Sequence, residues 1–290
     1  MRYSDVVAEP QVRDLRPVYR QGRPTGRYPR LRAPRRVEFG QVPRLKPGCS
    51  YIMRELPIDM TLQAFKDRVL GDLLPKYCDH PSRGWGSAGF KPDWSKLNES
   101  DARDFLRALD ANLVQHVGRG QYRAPRSAHK EQFFWTGPKN VTPRPFSLWI
   151  EPIIAVAGLA RLHFEYGWPG ELLGTESSDG AFDLATYSRS DPVNERVACE
   201  VKKSTAELDR LVKHMRQFAA DNVQCEASKS KSEINAFRKL NALRDRKAPV
   251  FWALGPGQAN YVFRMVYGDA GLVALNPSSE HVLYYSDAHT

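Results

Sequence analysis

Apolar residues recur at helical spacing in two segments of the N-terminal half of the chain. In residues 59–75 and 99–116, apolar side chains return every three or four positions, which predicts two amphipathic helices. Thr61 and Ser100 stand near the starts of these segments and are the predicted N-cap residues. The N-terminal half therefore contains a helical region.

An aromatic loop joins these two predicted helices. The loop is rich in Gly, Pro and Ser, yet it carries Trp85, Phe90 and Trp94. Such rings can stack on nucleic-acid bases, but tryptophans in a long loop more often fix the loop to the core. We therefore expect these rings to pack against the protein.

The pattern changes after residue 145 to one typical of alternating helices and strands. A segment that is apolar on nearly all sides, residues 149–166, predicts a helix buried against a sheet. Shorter apolar or alternating segments predict strands, and two amphipathic segments predict further helices. The predicted strands cover residues 170–176, 180–188, 196–203, 249–254 and 260–267, and the predicted helices cover 205–220 and 232–246. The order is helix, three strands, two helices and two strands.

Length and composition are those of a folded protein. The chain has 290 residues, of which 41% are hydrophobic and 26% are charged, close to globular averages. No segment reaches the ~20 apolar residues of a membrane-spanning helix, and the first residues lack the apolar core of a secretory signal. The four cysteines form no C-x-x-C pair, which favours reduced thiols. We expect a cytoplasmic protein with no membrane partner.

Positive charge is concentrated in residues 1–47. This segment has twelve basic and four acidic residues, a net charge of +8, while the whole chain carries +10. Its seven prolines and its lack of apolar periodicity predict an extended arm. Arginine binds phosphate through a planar fork and tyrosine can stack on bases, so the arm is a candidate for binding nucleic acid. The candidate residues are Arg20, Arg27, Arg30, Arg32, Arg35 and Arg36. A solvated tail, or a strap against the protein itself, is the alternative.

These patterns divide the chain into three predicted parts. Residues 1–47 are the extended basic arm rich in Arg and Pro, residues 48–145 are a mainly helical region, and residues 146–290 are an α/β domain. Three prolines between residues 138 and 145 mark the last boundary.

Three charged residues in two predicted strands form a candidate catalytic site. Side chains alternate along a strand, so Glu200 and Lys202 share one face of the strand at 196–203. If the strand at 180–188 is its hairpin partner, Asp183 lies opposite Glu200 on that face. Two adjacent carboxylates repel each other unless they share a cation, and Mg²⁺ prefers such oxygen ligands. The ammonium of Lys202 can orient a water molecule and offset charge on a phosphoryl group.

The spacing of these residues resembles a nuclease signature. Asp183, sixteen further residues and then Glu200-Val201-Lys202 are similar to the D-x(n)-(D/E)-x-K motif of the PD-(D/E)xK nuclease superfamily. The resemblance covers residues 149–267, and the predicted element order is similar to the α-β-β-β-α-β core of that superfamily. It implies an α/β fold with a restriction-endonuclease-like mixed sheet flanked by helices. The position before Asp183 lacks the proline that gives the superfamily its name.

The resemblance implies a Mg²⁺-dependent endonuclease that hydrolyses phosphodiester bonds. Asp183, Glu200 and the Val201 carbonyl would hold Mg²⁺, for which Mn²⁺ can substitute, and Lys202 would position the attacking water. Many members add an acidic residue from the first helix of the core, which here is Glu151, 32 residues before Asp183, and which would assist this metal or a second one. The candidate catalytic residues are therefore these three motif side chains and Glu151.

Two of these assignments have structural alternatives. Glu165 is the other acidic residue of the first helix, but its place near the helix end suits solvent or a cap, so Glu151 is preferred. A carboxylate in a first helical turn is also stabilised by the helix dipole alone. Glu200 and Lys202 could instead belong to a charged surface strand, which their apolar neighbouring strands disfavour. Lys203 follows the motif and could contact phosphate.

The sequence thus predicts an enzyme that acts on nucleic acid. Its resemblance to bacterial restriction and anti-phage nucleases favours DNA over RNA and a role in genome defence or DNA processing. Double-strand cutting commonly needs two active sites, so a homodimer or a partner protein subunit belongs to the prediction. The alternative is a catalytically inactive nuclease-like subunit or scaffold that binds nucleic acid mainly through the arm. The presence of all three motif residues, Asp183, Glu200 and Lys202, favours the enzyme.

Overall fold

A computed structural model describes residues 58–79, 86–138, 140–177, 180–221 and 230–286. These residues belong to one compact unit, Arg54–Thr290. The predicted arm, residues 1–47, lies outside the described residues, and so does Trp85. The arginines predicted to bind phosphate in that arm are Arg20, Arg27, Arg30, Arg32, Arg35 and Arg36.

Six α-helices and eleven strands lie in the described residues. The helices are α1 (Ile58–Arg68), α2 (Leu74–Cys78), α3 (Glu99–Asp110), α4 (Ile150–Phe164), α5 (Thr205–Asp221) and α6 (Lys231–Arg246). The strands are β1 (Gln115–His116), β2 (Gln121–Arg123), β3 (Glu131–Gln132), β4 (Phe134–Thr136), β5 (Phe146–Leu148), β6 (Leu173–Thr175), β7 (Leu184–Tyr187), β8 (Glu195–Val201), β9 (Val250–Leu254), β10 (Asn260–Tyr267) and β11 (Val273–Pro277). The predicted mixed α/β class is confirmed. Among the described residues, no helix has both the length and the apolar character to cross a membrane.

A six-stranded mixed sheet carries the candidate site. Its strand order is β11-β10-β9-β8-β7-β6. Strands β6, β7 and β8 form an antiparallel meander, whereas β8 and β9 are parallel. A parallel pair needs a long crossover connection, which α5 and α6 supply. The predicted order of helix, three strands, two helices and two strands is confirmed, and β11 adds one strand beyond it.

Helices cover both faces of this sheet. On one face, α4 packs over Leu184 of β7 and Cys199 of β8 in a hydrophobic cluster that also includes residues of α1 and α3. Gly158 permits this close packing, because a Cβ atom there would lie 2.7 Å from Cδ1 of Leu184 and 2.8 Å from Cδ2 of Leu254. On the other face, α5 and α6 form a second cluster with Ala198 of β8. The central strands β7, β8 and β9 are therefore buried on both sides.

Short strands accompany the helices of the predicted N-terminal region. Strands β1, β2 and β3 form an antiparallel sheet, and β4 pairs with β5. The helix predicted to reach residue 116 ends at Asp110. Because α1 and α3 share a hydrophobic cluster with α4, both sides of residue 145 contribute to one core. The domain boundary at that position stays a prediction.

Local details correct two predicted caps and confirm the packing of the aromatic loop. Asn98 caps α3, since its side chain accepts a hydrogen bond from the N–H of Ser100 at 3.0 Å. Thr61, predicted as an N-cap, lies inside α1. Phe90 lies 5.4 Å from Phe146, ring centre to ring centre, and the ring of Trp94 contacts Phe90 as well.

Candidate active site

The pairing of β7 with β8 brings the two predicted carboxylates together. Leu184 lies opposite Cys199, and the same register extended by one residue places Asp183 opposite Glu200. Since Leu184 and Cys199 point to the cluster beneath α4, alternation directs Asp183 and Glu200 to the face that α5 and α6 cover. The predicted hairpin pairing of these strands is confirmed.

Asp183 is fixed to β8 by a hydrogen bond to its main chain. Its Oδ2 accepts from the N–H of Val201 at 2.7 Å. Burial, and then the charge of Glu200, raise the pKa of Asp183 to about 8, although Lys239 and Lys202 favour its charged form. A bound divalent cation would favour the ionised form of Asp183, because it would be the largest local charge.

Glu200 is buried and faces two ammonium groups. Only 2% of its surface is exposed. Lys202 Nζ donates a hydrogen bond to Oε1 at 2.6 Å, and Nζ of Lys239 on α6 forms an ion pair with Oε2. Each carboxylate oxygen therefore has a cationic partner, as a buried charge requires.

Lys202 connects this carboxylate to the main chain. Its Nζ also donates to the carbonyl of Val201 at 3.0 Å, and its own N–H donates to the carbonyl of Leu254 in β9 at 2.9 Å. Burial opposes the charge of Lys202, but the carboxylates of Glu200 and Asp183 outweigh it and raise the pKa. The ammonium thus stays protonated beside two of the oxygen atoms predicted as metal ligands.

Glu151 and Glu165 lie at opposite ends of α4, about 21 Å apart along the helix. Glu151 lies in the first turn, half-buried, and lines the same cleft as Lys202. Glu165 lies at the C-terminal end, where its Oε2 accepts a hydrogen bond from Nε of Arg161 at 3.4 Å. The structure therefore brings Glu151 near the site, and Glu165 has a structural partner elsewhere.

A cleft of 270 Å³ opens beside Lys202. Its lining combines acidic, basic and neutral polar side chains with one leucine: Glu151, Lys202, Glu207, Arg210, Leu211, Lys231, Ser232 and Asn235. Arg210 and Lys231 are exposed, and within the described parts of the chain neither forms an ion pair with a carboxylate. Lys203 is also exposed and pairs with Glu207 at 3.4 Å. Two exposed cations therefore line this cleft.

Lys239, Arg210 and Lys231 were not predicted as site residues. Arg210 and Lys231 lie on separate helices, and no sequence spacing relates them to the motif. For Lys239 there was a signal, because it lies on α6 between Ala236 and Leu240, which are both buried. A lysine on the core-facing side of a helix requires a buried acceptor, and here that acceptor is Glu200.

The site offers oxygen ligands for a divalent cation. Among the described residues, no group of three or more His, Cys, Asp or Glu side chains is arranged to hold a metal. Asp183, Glu200 and the Val201 carbonyl are nevertheless hard oxygen donors on adjacent strand ends. Mg²⁺ commonly binds through one or two carboxylates and completes its shell with water and substrate phosphate. This donor set fits such an ion.

No protein-family model, curated protein sequence or solved structure matches the chain. The interpretation of the site therefore depends on its own geometry.

Proposed function

We propose that this protein is a metal-dependent endonuclease that hydrolyses phosphodiester bonds of DNA. The observation that carries the proposal is the placement of Asp183 beside Glu200 and hydrogen-bonded to the Val201 N–H, with Lys202 hydrogen-bonded to Glu200. The meander of β6, β7 and β8, the helical crossover and the parallel strand β9 also support it. They agree with the restriction-endonuclease-like fold that the sequence resemblance implies, and this fold is part of the proposal.

The residues have distinct roles in the proposed reaction. Asp183, Glu200 and the Val201 carbonyl hold Mg²⁺, and Mn²⁺ can replace it. When bound, the ion supplies Lewis-acid stabilisation of the reacting phosphate. Lys202 orients the attacking water, and its positive charge offsets the negative charge that develops on the phosphoryl oxygens. Glu151, at the edge of the cleft beside Lys202, assists this metal or a second one.

Charge supports a nucleic-acid substrate. The chain carries +10, most of it in residues 1–47, and Arg210 and Lys231 add two cations in the cleft beside Lys202. The choice of DNA over RNA, the cytoplasmic location and the role in genome defence or DNA processing rest on the sequence resemblance. A homodimer or a partner subunit belongs to the proposal, because cutting both strands commonly takes two active sites.

Nicking of a supercoiled plasmid tests this function. Full-length protein is incubated with Mg²⁺, with Mn²⁺ or with a chelator, and Asp183→Asn protein purified in parallel controls for contaminating nucleases. We expect nicked or linear DNA only with the wild type and a metal. Equal cleavage by Asp183→Asn contradicts the site. A folded wild type that cuts neither DNA nor RNA with either metal contradicts the enzyme.

A second candidate is a catalytically inactive nuclease-like subunit that binds nucleic acid. The observation that favours it is that Lys202 and Lys239 already face both carboxylate oxygens of Glu200. Under this alternative the protein binds DNA equally well with Mg²⁺ and with a chelator, and it cuts under neither condition. Gel-shift measurements under both conditions, made beside the plasmid assay, distinguish the two functions.

A further inference from the structure

Lys239 connects α6 to β8 and to the segment that precedes β7. Its Nζ forms an ion pair with Oε2 of Glu200 and donates to the main-chain carbonyl of Ala181. The same Nζ lies 5.6 Å from the ring centre of Phe182. A residue outside the motif thus contacts the end of β8 and the segment that leads into β7.

These contacts are buried. The side chain of Lys239 is 12% exposed and that of Glu200 is 3% exposed. An ammonium withdrawn from water is unfavourable unless acceptors compensate for the lost hydration. Glu200 and the Ala181 carbonyl provide this compensation, and the Phe182 ring adds a cation–π contact. The position of Lys239 therefore depends on the carboxylate that the metal is proposed to bind.

The charges of the site make Lys239 a competitor for that carboxylate. Asp183 and Glu200 in their ionised forms are balanced by the ammonium groups of Lys202 and Lys239. A divalent cation that entered with both lysines in place would be repelled by two like charges, and this repulsion is strong where water is excluded. Metal binding at Glu200 is therefore favoured when at least one ammonium moves away.

The two lysines differ in how firmly they hold Glu200. Lys202 donates a hydrogen bond of 2.6 Å to Oε1. Lys239 approaches Oε2 as an ion pair, but this contact lacks hydrogen-bond geometry. Lys239 keeps a second acceptor, the carbonyl of Ala181, when it leaves Glu200. The second acceptor of Lys202, in contrast, is the Val201 carbonyl, which the metal is itself proposed to bind. Lys239 is therefore the lysine that yields to a metal.

We infer that Lys239 is a positioning residue that holds Glu200 in the metal-free protein and competes with the metal for Oε2. The inference rests on the proposed function, because it requires Asp183 and Glu200 to bind a divalent cation. When the cation takes Oε2, the ammonium stays beside the site on the Ala181 carbonyl. The metal and α6 are thereby coupled through one side chain.

Calorimetric titration of the full-length, metal-free protein with Mn²⁺ tests this coupling. Lys239→Met removes the competing charge, so we expect the Kd for Mn²⁺ to fall about tenfold or more, which corresponds to about 1.4 kcal/mol. Lys239→Gln also lacks the charge but can still donate to Ala181, and we expect its Kd to fall as well. Arg238→Met removes the same charge from the adjacent, exposed position of α6 and should leave the Kd within about twofold of wild type.

Thermal unfolding gives a second measurement. Without metal, Lys239→Met should unfold at a lower temperature than wild type, because Glu200 loses a buried partner, and Mn²⁺ should raise its midpoint by more than it raises that of wild type. If Lys239→Met does not fold without metal, Lys239→Gln decides the outcome. If the folded variants bind Mn²⁺ with a Kd equal to or higher than that of wild type, the inference is overturned and the proposed function is left intact. If neither the wild type nor the variants bind Mn²⁺, both the inference about Lys239 and the proposed function are overturned.

Discussion

The carboxylate of Asp183 accepts a hydrogen bond of 2.7 Å from the main-chain N–H of Val201. The carbonyl of the same residue accepts a hydrogen bond of 3.0 Å from Nζ of Lys202. The main chain of Val201 therefore holds Asp183 through its N–H and Lys202 through its carbonyl. The side chain of Val201 packs in the cluster beneath α4. The D…ExK side chains are thus held by strand backbone, which positions groups more exactly than a loop does.

Replacing Asp183 by Asn should separate metal binding from folding. The amide keeps an oxygen that can accept from the Val201 N–H, but it removes the negative charge that a cation needs. We expect metal-dependent cleavage to fall on the order of 10²-fold or more, with a melting midpoint close to that of wild type. Plasmid nicking and circular dichroism measure the two effects. Asp245→Asn, an exposed position on α6, is the matched control and should cut normally.

Lys202→Met should lower the rate without removing the metal. Methionine fills a similar volume but cannot orient water or offset charge on the phosphate, so we expect a rate loss on the order of 10²-fold. Binding of Mn²⁺ should be retained or become tighter, because an ammonium beside Glu200 is removed. Single-turnover cleavage at saturating protein and Mn²⁺ titration give the two quantities. A variant that cuts as fast as wild type would limit Lys202 to a structural role.

Two glutamates on α4 offer a comparison within one helix. Glu151 lines the cleft beside Lys202, whereas Glu165 pairs with Arg161 at the far end. We expect Glu151→Gln to lower the cleavage rate, though by less than Asp183→Asn, and Glu165→Gln to leave it unchanged. Cleavage rates of both variants, measured at saturating Mg²⁺ and DNA, test this expectation. If both variants cut like wild type, the helix dipole alone explains the carboxylate of Glu151.

The strand pairing at the site could be predicted because it depends on local sequence. Asp183 and Glu200 belong to consecutive antiparallel strands, so alternation along each strand was enough to place them on one face. Alternation holds only within a strand, however. β7 begins at Leu184, and Phe182, two residues earlier, packs against Phe251 in the cluster on the opposite face of the sheet.

Contacts that depend on tertiary packing could not be predicted. The apolar pattern of α6 shows which side of the helix is buried, but it does not show that Lys239 reaches Glu200 on β8. Strands β1 to β5 are two or three residues long, too short to produce a periodic pattern. The cleft cations Arg210 and Lys231 come together only when α5 and α6 pack beside the sheet.

Glu131 of β3 should make stability depend on pH. Burial, and then the charge of Glu176, raise its pKa from an ordinary 4.5 to about 7, although a hydrogen bond from Thr175 opposes this. The folded protein therefore holds this proton more tightly than the unfolded chain. The resulting stabilisation is fully present below pH 4.5 and is lost as the pH rises to about 7. The slope is at most about 1.4 kcal/mol per pH unit.

Glu131→Gln removes this titration. Urea unfolding at pH 5 and pH 8 compares the two proteins, because the free energy of unfolding of wild type relative to the variant should be more favourable at the lower pH. An equal difference at both values would mean that Glu131 does not take up a proton on folding in this range.

Deleting residues 1–47 should change how DNA binding responds to salt. The deletion removes a net charge of +8, and each arginine that neutralises a phosphate contributes about −0.9 to the slope of log K against log salt on duplex DNA. We therefore expect a flatter salt dependence and the largest loss of affinity at low ionic strength. Cleavage at saturating substrate should survive, because Asp183, Glu200 and Lys202 lie in the unit Arg54–Thr290, outside the deleted segment.

The comparison uses full-length and truncated proteins that both carry Asp183→Asn, so that DNA stays intact while binding is measured at several salt concentrations. Arg210→Ala combined with Lys231→Ala, in the full-length protein, reports the share of the slope that comes from the cleft beside Lys202. If the arm is instead a strap against the protein or binds another subunit, truncation changes stability or assembly and leaves the slope as it was. Equal slopes for the two lengths would therefore refute a DNA-binding arm and leave the cleft as the surface that contacts phosphate.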